Sequence, residues 1–543
     1  MTTGEDADAR DMSAAGPPRG ANSDPCGGSE VAKPRARGDH RIALSLIAHT
    51  NVGKTTLART LLGRDIGEVR DAPHVTGSAE RYTMIESAQG DVLELWDTPG
   101  FGDSARLARK LRDLDHPIAR FLAMTWDRWR DRASWSSQQA VRNVRDEADV
   151  VLYLVNASES PADAGYVAPE ITILDWIGKP VIVLLNQTGR PRATDEEAAD
   201  IARWRAALAP HPIVEDVLSL DAFARCWVQE GVLLRAVARA LPTSKQPAFA
   251  RLASAWRAER DAQFRAAMAA IAEPIAHAAC DRVTLPNAGV RGTLVDVGRA
   301  VGLARGRTDR AKQAAMRELA TRLDDDIRTS TERLIEIHHL GGHAAEEVMV
   351  RLAEHLTTDA PLDERKAAVI GGFVSGALTG LAADLAAGGF TFGAGLLAGG
   401  VAGALGGAGL ARGFNLVRGK RASIVAWSDA FVASLVPAAV LRYLAVAHFG
   451  RGRGDFAASE YPAFWRDAVT AASGRAAGIG AAIARRNADP CEADAIARAL
   501  QDVLAELALD VLATLYPDAL PHERRSAENA TPAGGVTRHE GGP

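Results

Sequence analysis

Strand-like apolar runs alternate with helical patterns in the first half of the chain, between residues 40 and 241. Five runs have the length and composition of strands: 42–47, 82–87, 92–96, 150–155 and 181–185. Several are apolar almost throughout, which is typical of strands buried on both faces. Alternation of such strands with helices predicts an α/β fold, in which helices cover both faces of a mostly parallel sheet.

From about residue 249 the β-branched clusters disappear, and long helical periodicity predicts an all-α C-terminal region. Both ends of the chain are predicted to be disordered. The predicted organisation has six parts: a tail at 1–38, the α/β domain at 39–245, a helical domain at 246–360, a Gly/Ala-rich helical hairpin at 361–415, a second helical domain at 416–520 and a tail at 521–543.

The hairpin carries an unusual pattern of small residues. Between residues 367 and 411 the only charged residue is Asp384, and glycine recurs there in two series with four-residue spacing. Such spacing places the glycines on one helix face, where another backbone can approach closely. Basic residues flank the stretch on both sides, as in two helices that enter a membrane from the cytoplasm and return. A helical hairpin buried inside the α region is the alternative.

Charge and cysteine content narrow the partners and the compartment. The net charge is −5, and no basic stripe follows the chain, so nucleic acid is not an expected partner. The four cysteines are far apart, which predicts a reducing compartment with neither a disulfide framework nor a zinc site. The N-terminal segment lacks the apolar core of a secretory signal, so we expect a cytoplasmic protein, peripheral to or inserted in the inner membrane if the hairpin meets lipid.

A phosphate-binding pattern connects the first strand-like run to the first helix: Ala48-His49-Thr50-Asn51-Val52-Gly53-Lys54-Thr55. A loop of this kind turns backbone N–H groups towards phosphate oxygens, and the following helix adds its positive end. Lys54 is expected to reach the β- and γ-phosphates as a catalytic residue, and the Thr55 hydroxyl to bind Mg²⁺. The remaining predicted nucleotide contacts in this segment are Asn51, Val52, Gly53 and Thr56.

A second motif ends another apolar run: Trp96-Asp97-Thr98-Pro99-Gly100. The end of a parallel strand lies at the same sheet edge as the phosphate loop, so Asp97 is predicted to hold Mg²⁺. The Gly100 amide is predicted to sense the γ-phosphate and is counted with the catalytic residues. Either motif is short, but together they predict a nucleoside triphosphate site.

Residues 41–230 resemble the Era-type branch of the small GTPases, which also includes the tRNA-modification GTPase TrmE. The resemblance is carried by residues 50–55, 73–76 and 97–100 and by Asn186. It implies a P-loop GTPase domain in which Thr76 is the first-switch threonine that closes on Mg²⁺ and the γ-phosphate. Asn186 would contact the guanine base. Residues 217–221, which include Ser219, are a candidate for the last base-contacting loop, and a plain strand-to-helix turn is the alternative. In some relatives the asparagine matching Asn51 helps to bind K⁺.

The complete layout resembles a little-characterised bacterial family of GTPases with a C-terminal domain of unknown function. Two positions depart from the GTPase pattern. Phe101 follows Gly100, where Ras-like enzymes carry a glutamine that orients water, so intrinsic hydrolysis should be slow or depend on a cation, dimerisation or a partner. Gly189 stands where the family has the aspartate that pairs with guanine. Asp195 or a backbone carbonyl are the candidates to replace it, and adenine specificity stays open.

Two further segments have competing interpretations. The insertion at 101–148 contains Trp126, Trp129 and Trp135, which we expect to pack a helical cap onto the sheet rather than to report the nucleotide state. His338, His339 and His343 match no metal-ligand spacing and are interpreted as a polar turn.

We therefore expect a switch protein that binds GTP, hydrolyses it slowly with Mg²⁺ and possible dependence on K⁺, and couples the nucleotide state to the helical region. A homodimer is a possible assembly. The contrasting hypothesis is a membrane-interaction or assembly protein that binds a nucleotide with little hydrolysis.

Overall fold

The structure is a computed structural model that describes residues 40–49, 51–64, 66, 79–124, 131–188, 194–222, 226–285, 297–340, 414–418, 423–449, 462–476, 478–488, 490–517 and 519. The predicted membrane segment, 367–411, lies outside the described residues, and so do Thr76 and Gly189.

A six-stranded sheet forms the N-terminal half, with strand order β2-β3-β1-β4-β5-β6. Its strands are β1 (Arg41–Ala48), β2 (Glu80–Glu86), β3 (Val92–Asp97), β4 (Val150–Asn156), β5 (Val181–Asn186) and β6 (Val214–Ser219). β2 runs antiparallel to β3, and the other neighbours are parallel. The predicted α/β fold with a mostly parallel sheet is confirmed.

Seven helices accompany this sheet: α1 (Lys54–Leu62), α2 (Ser104–Leu111), α3 (Pro117–Ala123), α4 (Arg132–Asp146), α5 (Val167–Ile177), α6 (Thr194–Leu208) and α7 (Trp227–Ala240). Two apolar clusters lie on opposite faces of the sheet, because successive side chains of β1, β4 and β5 point to opposite sides. β6 was not predicted from the sequence, because it is a partly exposed edge strand that lacks the continuous apolar run of its neighbours.

The insertion after β3 folds as helices α2, α3 and α4, in agreement with the predicted helical cap. The Gln138 side-chain amide on α4 donates to the carbonyl oxygens of Phe121 (3.0 Å) and Met124 (2.8 Å), which fixes α3 against α4. Trp135 is partly buried on α4, whereas Trp126 and Trp129 lie outside the described residues.

The C-terminal half is largely helical, as predicted. Its described helices are α8 (Gln246–Cys280), α9 (Val297–Ile337), α10 (Asp429–Ala447), α11 (Ala463–Arg475), α12 (Gly478–Ala484) and α13 (Ala493–Leu515), with a 3₁₀ turn at Arg485–Asn487. An antiparallel sheet of β7 (Arg282–Leu285), β8 (Phe414–Arg418) and β9 (Ser423–Trp427) adds to them, in the order β7-β9-β8. The sequence reading missed these strands, which are short and come from distant segments.

A disulfide joins Cys280, the last residue of α8, to Cys491, two residues before α13. The expectation that the cysteines form no disulfide was therefore wrong. Their sequence separation is 211 residues, so only the packing of α8 against α13 brings their Cα atoms to 5.7 Å. Cys226 is buried and takes no part in this disulfide.

Within the described residues, α10 is the one helix that is long and apolar enough to cross a membrane, with a mean hydropathy of 1.9. Of the 18-residue stretch of α10 that has this hydropathy, 56% is buried inside the protein, which is typical of a core helix. The histidine turn follows α9, and burial lowers the pKa of His338 to about 4. Its ring packs near Tyr443, so His338 belongs to the core edge rather than to a purely polar turn, and His343 lies outside the described residues.

Candidate nucleotide-binding site

The phosphate loop leaves β1 and enters α1 through two residues with left-handed backbone. Asn51 has a φ of 67° and Gly53 a φ of 89°. A Cβ atom at Gly53 would lie 2.9 Å from the Asn186 amide nitrogen, so both the conformation and the space there require glycine. The loop thus turns tightly just before the helix N-terminus, where free backbone N–H groups can bind an anion.

Thr55 and Asp97 form the candidate magnesium site. The Thr55 hydroxyl donates to Asp97 Oδ2 over 2.6 Å, and Asp97 is only 2% exposed. Within the described part of the chain, Asp97 Oδ1 is buried and has no hydrogen-bond partner. A buried carboxylate oxygen beside a hydroxyl is a ligand set that suits Mg²⁺, so these residues fit the ion.

Lys54 lies in the same buried cluster, 9% exposed. Burial lowers the pKa of its ammonium group, and the charges of Asp97 and Glu170 oppose that shift. Burial likewise raises the pKa of Asp97, against the attraction of Lys54. Lys54 and Asp97, with opposite charges, are thus buried together beside the loop. A triphosphate that binds there would contact a lysine that is already in position.

Glu170 on α5 was missed by the sequence reading. It is fully buried, and it accepts hydrogen bonds from His49 Nδ1 (2.7 Å) and from the Tyr153 hydroxyl (2.8 Å). Ser104, the first residue of α2, also bonds to its carboxyl group. Burial raises the pKa of Glu170. The sequence does show a single glutamate in a mostly apolar helix. Its three partners come from separate segments, so the sequence does not show that they meet.

Phe101 explains the departure from the Ras-like pattern. Its side chain is fully buried, and its backbone N–H donates to the Ala48 carbonyl oxygen over 3.0 Å. This bond ties the segment after Gly100 directly to the phosphate loop. The next residue, Gly102, packs against Ala133 of α4, where an added Cβ would lie 2.6 Å from the alanine Cβ. The side chain of Phe101 therefore belongs to the core and orients no water.

Asn186 ties the phosphate loop to the loop after β6. Its amide nitrogen donates to the Val52 carbonyl oxygen (2.7 Å), and its amide oxygen accepts from the Ala222 backbone N–H (2.8 Å). Ser219 ends β6 beside Leu185 of β5. The structure thus brings the predicted base residues Asn186 and Ser219 to the same edge of the sheet as the phosphate loop.

The remaining predicted residues have different positions. Thr56 is buried in the first turn of α1, and Gly100 follows the carboxyl end of β3. Asp195, one candidate to replace the missing aspartate, is exposed in the first turn of α6. Thr76 and Gly189 lie outside the described residues, so their roles stay predictions.

Comparison with known families gives two matches. Residues 43–187 match the family described as a 50S ribosome-binding GTPase, and residues 213–508 match a domain of unknown function, DUF3482. The GTPase Der of Myxococcus xanthus is 28% identical over 149 residues, which cover 26% of this chain and 25% of that protein. The GTPase Der of Mycolicibacterium vanbaalenii is 27% identical over 171 residues, covering 31% and 30%. The chain thus spans less than a third of these curated relatives.

Solved structures of Era are similar to part of the chain. One, in complex with MgGDPNP and nucleotides of 16S ribosomal RNA, has 16% identity and a TM-score of 0.28, and covers 37% of this chain and 57% of that chain. Another, from Aquifex aeolicus and bound to GDP.AlF4-, has 18% identity, a TM-score of 0.26 and the same coverage.

The resemblance to an Era-type GTPase fused to a domain of unknown function is confirmed. The DUF3482 match extends over more than half of the chain, on the C-terminal side of the GTPase match. The chain therefore belongs to the DUF3482 family and carries a P-loop GTPase domain in its N-terminal half.

Proposed function

We propose that the protein is a GTP-binding switch that hydrolyses GTP slowly with Mg²⁺ and transmits its nucleotide state to the helical region. The observation that carries this proposal is the buried Asp97 oxygen without a hydrogen-bond partner, beside the Thr55 hydroxyl, in the part of the chain that is described. Leaving a buried carboxylate oxygen unpaired costs free energy, which a bound cation would offset. Mg²⁺ there would neutralise charge on the β- and γ-phosphates.

Slow turnover follows from Phe101. Because its side chain is buried, the position after Gly100 supplies no group that orients the attacking water. The rate of hydrolysis would then depend on positive charge from another source. K⁺ near Asn51 is our candidate, since this left-handed, exposed residue lies at the phosphate loop, where the Gln187 amide donates to its carbonyl oxygen over 3.3 Å. A second copy of the chain could supply the charge instead.

Transmission to the helical region can use the β2–β3 hairpin, which connects the predicted first switch to Asp97. Asp91 at its turn is fully buried and accepts two hydrogen bonds from Arg251 of α8, over 2.6 and 2.8 Å. The Arg251 guanidinium holds the pKa of the Asp91 carboxyl well below its usual range. A shift of the hairpin with nucleotide state would therefore move an ion pair on the first helix of the C-terminal half.

Contact with a membrane through residues 367–411 is part of the proposal and rests on their glycine spacing and flanking basic residues. The alternative function is a membrane-interaction or assembly protein that binds GTP with little hydrolysis. The buried Phe101 is the observation that favours it.

The test is GTP hydrolysis by the full chain with Mg²⁺, in K⁺ and in Na⁺, with and without liposomes. The switch proposal predicts slow turnover that K⁺ accelerates. Equal rates in the two salts would remove the K⁺ component, and tight GTP binding without turnover under all four conditions would favour the assembly protein. Co-sedimentation with the liposomes, compared with a variant lacking residues 367–411, tests the membrane component.

A further inference from the structure

A buried carboxylate joins the phosphate loop to the segment that follows Gly100. Glu170 on α5 is fully buried and accepts a hydrogen bond from His49 Nδ1 over 2.7 Å. His49 is the second residue of the phosphate-loop pattern and comes directly after β1. The same carboxyl group bonds to the side chain of Ser104, which begins α2 four residues after Gly100. Glu170 therefore links the two segments that are expected to contact the phosphates.

The orientation of His49 is fixed by contacts on its other sides. Its ring stacks on Tyr166, with the ring centroids 4.6 Å apart and the planes 19° from parallel. Its backbone forms a parallel bridge with Phe101, beside the bond from the Phe101 N–H to the Ala48 carbonyl oxygen. The side chain is 32% exposed, so it lies at the rim of the site. A ring held in this way keeps Nδ1 directed at Glu170, which a positioning role requires.

The cost of burying Glu170 couples its partners to one another. Burial raises the pKa of Glu170, and the hydrogen bond from His49 is the first of the contacts that oppose this shift, followed by those from Tyr153 and Ser104. A buried carboxylate is stable only while its donors remain in place. Movement of α2 away from the loop would remove one of them, so each segment favours the ordered position of the other. The charge of Glu170 also acts on Lys54.

We propose that His49 is a positioning residue that, through Glu170, holds the start of α2 where the Gly100 amide can contact the γ-phosphate. The inference rests on the proposed GTP binding and names the link by which the site distinguishes GTP from GDP. A link can shift such a preference only if it acts differently on the two bound states. Because GDP has no γ-phosphate, the link should contribute to the affinity for GTP and to hydrolysis, but not to the affinity for GDP.

His49→Ala removes the donor to Glu170 and keeps the backbone of the loop. We expect H49A to bind a non-hydrolysable GTP analogue at least about 10-fold more weakly than the wild type, while its affinity for GDP stays within about twofold. The value of kcat/KM for GTP hydrolysis should fall by at least the same factor. Calorimetry measures both affinities. His49→Asn places an amide N–H donor where Nδ1 lies, so it should recover most of the loss.

Ser104→Ala breaks the other end of the link by deleting one hydroxyl group, and it carries the same test if H49A does not fold. It should lower the ratio of GTP to GDP affinity in the same direction as H49A. Both variants interrupt one link, so their effects in the double variant should be clearly less than additive. Additive losses would show that His49 and Ser104 act independently and would overturn the proposal.

The matched control is His211→Ala. His211 also pairs its Nδ1 with a carboxylate of α5, Asp175, over 2.6 Å, but Asp175 lies five residues after Glu170. H211A should leave the ratio of GTP to GDP affinity unchanged. Equal losses of GTP and GDP affinity in H49A, or a lower melting temperature with an unchanged ratio, would mean a merely structural role and would overturn the proposal. Failure of the wild type to bind either nucleotide would instead refute the proposed function, and this inference with it.

Discussion

The two halves of the molecule bury different kinds of side chain. Around the phosphate loop the α/β half buries ionisable groups beside one another, with Lys54, Asp97 and Glu170 all at most 9% exposed. The core of the helical half is apolar, and backbone carbonyl oxygens there accept hydrogen bonds from the buried side chains of His448, Arg442 and Arg486.

The difference reflects what each half has to hold. Burying a charge costs free energy unless a partner compensates for it, and at the phosphate loop a charged ligand can provide that compensation. The helical half is held by the packing of its apolar core together with a disulfide. Variants at the phosphate loop should therefore change GTP hydrolysis, whereas variants in the helical half should change thermal stability.

The largest effect should come from the disulfide. Cys280→Ser removes the link to Cys491, which closes a loop of 211 residues. We expect it to lower the unfolding free energy by about 3–5 kcal/mol. Thermal melting should show this loss in the helical half, while GTP binding stays intact. A reductant should lower the melting temperature of the wild type and leave that of the variant unchanged. If the reductant affects both equally, the link does not stabilise this half.

Lys54→Ala should have the next largest effect, and on activity instead of stability. Loss of a positioned cation at the transferred phosphate typically costs about 100- to 1000-fold in rate, or about 3–4 kcal/mol. GTP hydrolysis measures it. Lys179, which lies at the opposite end of β5 and donates to the Ala148 carbonyl oxygen, gives the matched control Lys179→Ala with unchanged rates. Equal losses in both variants would contradict a local role for Lys54.

Asp324 on α9 makes the helical half sensitive to pH. Burial raises the pKa of this carboxyl from 3.8 to about 7, with the Asp325 charge adding to the shift. Because the folded protein keeps a proton that the unfolded chain releases, stability should fall as pH rises from about 4 to 7. Asp324→Asn should remove that decline and gain about 1–3 kcal/mol above pH 7.

Melting temperatures between pH 4 and 8 check the role of Asp324. Asp325→Asn is the matched control, because its side chain is exposed on the same helix. It should keep most of the decline and lower the folded pKa of Asp324 only slightly. A wild type whose stability rises between pH 4 and 7 while D324N shows the same slope would contradict the assignment.

The smallest effect concerns the contact between the halves. The Trp227 indole N–H on α7 donates to the Tyr443 hydroxyl on α10 over 3.2 Å. Tyr443→Phe should lower the unfolding free energy by about 0.5–1.5 kcal/mol and separate the melting transitions of the two halves. Calorimetry measures both. Tyr82→Phe, which removes a hydroxyl bonded to Glu80 within the α/β half, should leave the separation of the transitions unchanged.

The sequence was sufficient for the parts of the site that one local segment encodes. Gly53, Lys54 and Thr55 form a continuous motif after an apolar strand, and Asp97 ends another such strand, so strand order alone predicts their meeting at one sheet edge. The burial of Phe101 also agrees with its apolar character. These features depend on short-range pattern and on the rule that parallel strands end at one edge.

Features that join distant segments could not be predicted. Glu170 meets His49 and Ser104 only because α5 packs under the loop, and no spacing in the sequence relates them. The short strands β7 and β9 pair although they are far apart in the chain. Whether each segment forms a strand therefore depends on its partner, which the local sequence does not show.

The departure at Gly189 shows the same division. The sequence determines that the phosphate loop binds a triphosphate, because backbone turn, lysine and hydroxyl lie within a few residues of one another. It also shows that the usual base-binding carboxylate is missing. Tertiary structure alone joins Thr188, the residue before Gly189, to Asp221, since β5 and β6 pair side by side and the loops after them meet. A local motif specifies chemistry along the chain, whereas burial and charge compensation depend on which segments the fold brings into contact.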